Sequence, residues 1–196
     1  QLELLRDKHG IKSMLFMGGE PMIRKEMVMK AVDLFEMPAI VTNATYGIPS
    51  LPGGLVTVSL DGPEHLNDPI RGEGVFQTVK QAIHDRDRSD GTTVILQMVL
   101  TAKNEEGLEE FVDQIRDWPI DGVAFTFYVP QNDDKTGLAW DDLKDRDAVI
   151  DRLIALKKDY PDLIKSHVGA LELMYADQCL DHTGEKGENC LMLATL

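Results

Sequence analysis

The sequence predicts an α/β domain organised around a parallel sheet. Two observations carry this. Short apolar or β-branched runs alternate with longer segments whose apolar residues recur at helical spacing. The runs are apolar on successive residues, as expected of strands covered on both faces and joined by right-handed crossover helices.

Each element follows in order. Residues 1–9 read as the tail of a helix that begins upstream, so the chain is expected to be a portion of a longer protein. Residues 14–17 form the first strand and end in Gly18-Gly19. Pro21 stands at the first helical position that proline favours. Ile23, Met27, Ala31 and Leu34, with Val28, Val32 and Phe35 beside them, predict the helix that follows. Residues 38–42 and 55–60 are the next strands, the latter stopped by Asp61-Gly62-Pro63. Between them, residues 44–54 carry Pro49, Pro52, Gly53 and Gly54, too short and too broken for a crossover helix. An extended loop or a single turn is expected there. Gly72 and Gly74 introduce a helix bearing Phe76, Val79 and Ile83. Residues 92–100 are a strand. Leu108, Phe111, Val112 and Ile115 mark a helix, with Glu105 and Glu106 at its positive N-terminal end. Residues 123–129 form a strand stopped by Pro130, and 141–159 a helix with Val149, Leu153 and Leu156 on one face. The pattern weakens from Lys165, and 181–189 reads as a polar loop. The core domain is therefore expected over 1–160, with an extension over 161–196.

Composition bounds the function. With 196 residues, 43% apolar and 28% charged, this is a globular domain and not a disordered tail or coiled coil. No apolar run approaches the length that spans a bilayer. Thirty-four acids against 20 bases give a net charge of -14. Without a basic cluster, DNA binding is excluded. The acid excess reads either as a solubilising surface or as adaptation to a salt-rich host. Two cysteines, Cys179 and Cys190, do not make a disulfide scaffold, and a reducing cytoplasm is expected.

In parallel α/β sheets, active groups gather at the carboxyl ends of the strands. That selects Gly18-Gly19-Glu20-Pro21, Thr42-Asn43, Ser59 to Asp61, Thr101 and Tyr128. Two glycines leave backbone groups uncovered for a ligand, and Glu20 could receive an ammonium or simply stabilise a helix start. Ser59 and Asp61 alternate toward one face. They could hold a ribose diol, or Asp61 could close an Asx-type turn at Gly62. Arg71 could clamp a carboxylate bidentately or form a surface pair. Asn43 could donate to a ligand or end its strand. Met98 reads as core. His65, His84, His167 and His182 stand at no mutual metal-ligand spacing. The acidic run from Asp133 to Asp147 lacks the spacing of a calcium loop.

Taken together, these segments resemble the radical S-adenosylmethionine (SAM) superfamily. Gly18-Gly19-Glu20-Pro21 resembles its second-strand motif, Ser59-Leu60-Asp61-Gly62-Pro63 with Arg71-Gly72 its fourth-strand segment, and Thr42-Asn43-Ala44 its third-strand end. The resemblance runs in order over about residues 1–160. It implies a partial (β/α)6 TIM-like barrel lacking its first strand, and a [4Fe–4S] cluster that reductively cleaves SAM to a 5′-deoxyadenosyl radical for substrate modification. Gly18, Gly19 and Glu20 would meet the methionyl amino group. Ser59 and Asp61 would lie by the ribose and carboxylate. Arg71 would hold the carboxylate, with Asn43 at the same rim, and Thr101 and Tyr128 would border the adenine. Glu20, Ser59 and Asp61 are thus expected around one cradle.

The chain departs from this pattern in two ways. The Cys-x3-Cys-x2-Cys segment that holds the cluster is absent, so the cluster ligands are expected upstream of residue 1 and the portion alone is expected to be inactive. The third crossover is shortened. Cys179 and Cys190 could begin an auxiliary iron–sulfur site or be two ordinary thiols. The expected partners are a small-molecule, lipid or peptide substrate and an electron donor such as flavodoxin or ferredoxin. The alternative is a cluster-free SAM- or partner-binding module on the same fold. A phosphate-using barrel enzyme would need a late glycine-rich anion site, and none is found.

Overall fold

The computed structural model describes residues 1–130 and 133–178; Cys179, Cys190, His182 and the polar 181–189 segment lie outside the described residues. In chain order the elements are α1 (Leu2–His9), β1 (Ser13–Phe16), a 3-10 turn (Pro21–Arg24), α2 (Lys25–Val32), β2 (Met37–Thr42), β3 (Leu55–Ser59), α3 (Glu64–Arg71) and α4 (Val75–Asp85). They continue with β4 (Thr93–Leu100), a 3-10 turn (Glu105–Gly107), α5 (Leu108–Ile115), β5 (Gly122–Phe127), α6 (Leu143–Asp159) and α7 (Val168–Glu172). The five strands form one sheet, all parallel, in the order β1-β2-β3-β4-β5. Among the described residues no helix is long and apolar enough to cross a membrane.

Strand order has a physical consequence. Each crossover steps to the next strand in the same direction, and right-handed crossovers then leave the helices on one face. A doubly wound sheet would reverse direction once and carry helices on both faces. Burial agrees with the one-sided arrangement. Along β4, Val94, Leu96, Met98 and Leu100 are fully buried while Ile95, Gln97 and Val99 are only half-buried. The register carries that face through Ile40, Val56, Val94 and through Val58, Leu96, Val123. These residues join Val79, Ile83, Phe111, Ile115, Ile150 and Leu153 from the helices in one core. No residue from the opposite sheet face belongs to it. The expectation of strands covered on both faces is corrected here, because successive apolar residues do not reveal which of two faces has a partner.

Three further expectations change. The helix after Pro21 begins as a 3-10 turn, and it buries Met22, Val28, Val32 and Phe35 rather than the Ile23–Met27 stripe, which is exposed. The 3-10 turn winds more tightly than an α-helix, which rotates the later residues out of the expected phase. The helix α3 was hidden by Pro69, which sits inside it and removes the amide that would bond the His65 carbonyl. The last strand ends at Phe127, and Val129 beyond it is 80% exposed.

The short β2–β3 connection contains no helix, as its length requires. Leu51 fills the core there at 3% exposure. Gly54 must be glycine: a Cβ would lie 2.5 Å from Leu51 Cγ and 2.8 Å from the Pro38 carbonyl. Beyond α6 the chain returns to the sheet. Ile164 bridges Val123 in parallel, Val123 N donates to the Leu163 carbonyl at 2.8 Å, and Phe125 N donates to Ser166 Oγ at 3.0 Å. The segment after residue 160 thus covers the outer edge of β5.

A one-sided core makes a contrast measurable by chemical denaturation of the full-length protein. Leu96→Ala is expected to destabilise by about 2–5 kcal/mol. The adjacent Ile95→Ala, on the uncovered face, is expected to cost under about 1 kcal/mol.

Candidate functional site

At the end of β1, Gly18 and Gly19 adopt φ of 104° and 53°. A Cβ at either would meet nothing within 4 Å, so conformation and not space demands glycine. Their backbone groups make no loop or side-chain hydrogen bond among the described residues. Glu20 follows and is braced three ways. Its Oε1 accepts from Met22 N at 2.9 Å and from Thr42 Oγ1 at 2.8 Å, and Oε2 accepts from Asn43 N at 2.7 Å. The carboxylate caps the 3-10 turn and fastens the glycine loop to the end of β2. One acceptor site on Oε2 is left for a ligand.

Asn43 folds over itself: its Oδ1 accepts from Thr45 N at 3.0 Å and from Thr45 Oγ1 at 2.6 Å. Its amide NH2 keeps its donors unengaged among the described residues. Asn43, Thr45, Asp61, Ile70, Arg71 and Val75 line a cavity of about 390 Å³.

Asp61 is the centre of the densest network. Its side chain is 7% exposed. Oδ1 accepts from Val99 N of β4 at 2.9 Å, in place of the bond β3 would have supplied had it continued. Arg71 Nε stands 2.6 Å from Oδ2. That N–H is directed off the oxygen, so the contact is one of charge more than of an aligned hydrogen bond. The terminal nitrogens of Arg71 make no hydrogen bond among the described residues, and the side chain lines the cavity. Asp61 therefore does not close the Asx-type turn at Gly62 that its sequence context allows. Its carboxylate reaches sideways to the neighbouring strand instead.

Two residues that sequence reasoning missed complete the network. Asn67 of α3, fully buried, accepts from Asp61 N at 2.9 Å and donates to Asp68 Oδ1 at 2.9 Å. Asn104, also fully buried, donates Nδ2 to the carbonyls of Asp61 and Val99, each at 2.9 Å. Its Oδ1 accepts from Thr101 N at 2.7 Å and from Thr101 Oγ1 at 3.0 Å. The available signal was an asparagine just before each acid-rich or proline-broken segment, a pattern shared with ordinary turns. Asp68 then receives Gly74 N at 2.7 Å and Phe76 N at 3.0 Å. Burial pushes the Asp68 carboxyl upward, but the bonds from Phe76 N, Asn67 and Gly74 N outweigh it and hold the group below the ordinary aspartate range.

The sequence-selected residues are thus distributed unevenly. Asn43, Asp61 and Arg71 share one cavity. Gly18 and Glu20 line another of about 350 Å³, with Phe16, Met17, Pro21 and Met27. Ser59 lines neither. Among the described residues Glu20 and Asp61 line separate hollows, since both carboxylates brace loops, and the two hollows are linked through the Glu20–Asn43 bond. Thr101 is 3% exposed and its hydroxyl is spent on Asn104 and Lys103 N. Tyr128 is half-buried, with its hydroxyl 3.4 Å from Thr136 Oγ1. No group of three His, Cys, Asp or Glu is arranged to hold a metal ion among the described residues.

No protein-family model matches the chain. An uncharacterized protein of Archaeoglobus fulgidus is 29% identical over 114 residues, covering 54% of this chain and 27% of that protein. Among solved structures, anSMEcpe with bound AdoMet and Cp18Cys peptide superposes with a TM-score of 0.68 at 18% identity, covering 90% of this chain and 56% of that one. Streptococcus suis SuiB bound to S-adenosylmethionine gives 0.58 at 18% identity over 84% of this chain and 41% of that one. SuiB bound to its precursor peptide SuiA gives 0.59 at 17%, over 79% and 38%. The chain has the fold of these proteins. It spans about half the length of anSMEcpe and about a quarter of the curated relative.

Two outcomes follow from the network. Asn104→Ala leaves the carbonyls of Asp61 and Val99 and the Thr101 amide without partners, and is expected to cost about 2–4 kcal/mol in urea unfolding. Because the Asp68 carboxyl is held below its ordinary value, it contributes stability above the unfolded carboxylate range, and that contribution disappears as pH falls through the folded value. Unfolding midpoints between neutral pH and the acid limit are expected to fall less steeply for Asp68→Asn than for the parent.

Proposed function

We propose that this chain is the core of a radical SAM enzyme. When bound, a [4Fe–4S] cluster would supply the electron for reductive cleavage of SAM, the chemistry that gives a 5′-deoxyadenosyl radical able to take hydrogen from a substrate. The observation that carries this reading is the ordered set of strand-end groups. Gly18-Gly19-Glu20, Asn43, Ser59 and Asp61 stand at the carboxyl ends of three adjacent parallel strands, and Arg71, the last residue of α3, pairs with Asp61 there. The fold is also that of proteins solved with AdoMet bound.

The residues present fit the amino-acid end of SAM. Uncovered carbonyls at Gly18 and Gly19, with the remaining lone pair of Glu20, suit an ammonium. The free terminal nitrogens of Arg71 and the amide of Asn43 suit a carboxylate. In this reading Asp61 is a positioning residue that orients Arg71. Ser59 faces the ribose, and Tyr128 borders the adenine. Thr101 acts only through the loop it helps to shape.

The cluster itself finds no ligands here, since the first 178 residues contain no cysteine. In this reading a Cys-x3-Cys-x2-Cys segment before α1 would hold it. An earlier strand beside β1 would complete a partial (β/α)6 barrel. The state of β1 supports that. Its outer edge has no strand partner among the described residues, and Leu15, Met17, Ile23 and Met27 around it are about half to two-thirds exposed. A second reading is a cluster-free SAM-binding module on the same fold, which needs only the groups named for the amino-acid end of SAM. An electron donor such as flavodoxin or ferredoxin in a reducing cytoplasm belongs to the first reading only.

The full-length protein, anaerobically reconstituted and reduced, is expected to bind SAM and release 5′-deoxyadenosine and methionine in equal amounts. Binding without release supports the module, and no binding removes both readings. Arg71→Lys keeps the charge but loses the forked donor, and is expected to raise the SAM Kd by about tenfold in equilibrium dialysis.

A further inference from the structure

Arg71 is the last residue of α3, and the helix itself holds that end weakly. Pro69 removes one bond of its final turn. The chain then passes through Gly72, Glu73 and Gly74, with φ of 117° and 76° at the two glycines, before α4 begins at Val75. A turn broken by proline and followed by two glycines is loose by itself, because glycine leaves the backbone the widest choice of conformations. One residue closes it. The Asp68 carbonyl accepts from Gly72 N at 2.8 Å, its Oδ2 from Gly74 N at 2.7 Å and its Oδ1 from Phe76 N at 3.0 Å. Alternate amides along the elbow thus all end on Asp68.

Asp68 stands one helical turn before Arg71 and does not line the cavity that Arg71 lines. Fully buried Asn67 joins it to the strand end, donating to Asp68 Oδ1 and accepting from Asp61 N, each at 2.9 Å. Arg71 is therefore held at two points of one frame. Asp68 fixes the backbone from which its side chain starts, and Asp61 Oδ2 lies 2.6 Å from its Nε. That second contact is one of charge without an aligned hydrogen bond, so it constrains distance better than direction. The direction of the guanidinium fork then depends on where the side chain is rooted. Capping the first turn of α4 would account for the bond to Phe76 N. It does not account for the buried asparagine that links this carboxylate to Asp61.

We propose that Asp68 is a positioning residue. By fixing the root of Arg71 it sets the direction in which the guanidinium meets a ligand carboxylate, and it touches no ligand itself. The proposal rests on the reading above only for the identity of that ligand. It adds the constraint that makes a flexible arginine a directed one.

The test uses the full-length protein and two ligands, S-adenosylhomocysteine and its decarboxylated form, S-adenosylthiopropylamine. They differ only in the carboxylate assigned to Arg71. In equilibrium dialysis Asp68→Asn is expected to raise the Kd of S-adenosylhomocysteine about fivefold to tenfold, the worth of about one hydrogen bond, and that of the decarboxylated ligand by less than about twofold. The effect is expected to vanish when Arg71→Met is already present, since both changes then act on one interaction. A merely structural aspartate would weaken both ligands alike and would add to Arg71→Met; either result overturns the proposal.

A second readout needs no ligand. In protein labelled with 15N-arginine, the Arg71 Nε–H signal is identified by its loss in Arg71→Met. Its exchange with solvent is expected to quicken at least about fivefold in Asp68→Asn. Arg86, buried at the opposite end of the sheet and bonded to the Thr92 and Pro119 carbonyls, is the internal reference and is expected to stay unchanged. Unchanged exchange at Arg71, or equal quickening at Arg86, overturns the proposal. A parent protein that binds neither ligand, while Arg71 exchange quickens in Asp68→Asn, removes the SAM reading and keeps the positioning role. If Asp68→Asn does not fold, Asp68→Glu keeps the charge, moves the oxygens by one methylene, and is judged by the same outcomes.

Discussion

The rim of this sheet depends on one buried carboxylate. Asp61 ends β3 by giving its own oxygen to Val99 N, where a further strand residue would have placed a carbonyl. Left unpaired, such a charge would cost several kcal/mol of lost hydration. Here it is met by a backbone amide and by Arg71, while Asn67 and Asn104 secure the amide and carbonyl of the same residue. Through these bonds one aspartate sets where β3 stops, how α3 departs, and where the turn after β4 sits. Arg71 is thereby held at the cavity edge with its forked end open.

Glu20 acts similarly one strand away. Three bonds lock its carboxylate between the glycine loop and the end of β2. Both acids were candidates for direct ligand contact, and both are largely engaged in construction. The groups left for a ligand are their neighbours: the backbone of Gly18 and Gly19, the amide of Asn43 and the terminal nitrogens of Arg71. Charge-assisted bonds are stiff and strong, so a site braced by carboxylates can hold weaker, exposed donors in fixed directions.

The sheet divides its labour by face. The helix side is largely apolar and buried, and carries the stability. The strand positions of the other side carry no charge and range from buried Thr57 to exposed Leu15 and Met37, with hydroxyls and one carboxamide among them.

The alternation of strands and helices, the parallel sheet, the helix-free β2–β3 connection and the strand-end residues were all legible from the chain, because they rest on local periodicity, on glycine and proline, and on loop length. The helix α3 was not, since Pro69 argued locally against a helix that packing of Asn67 sustains. The roles of Asp61, Asn67 and Asn104 were likewise hidden, because each depends on partners as far as 43 residues away in sequence. The sequence by itself determined which groups stand at the ends of the strands. Only the tertiary structure decided which of them are spent on one another and which remain open, because a hydrogen bond is set by distance and direction in space, and neither is written in the order of residues.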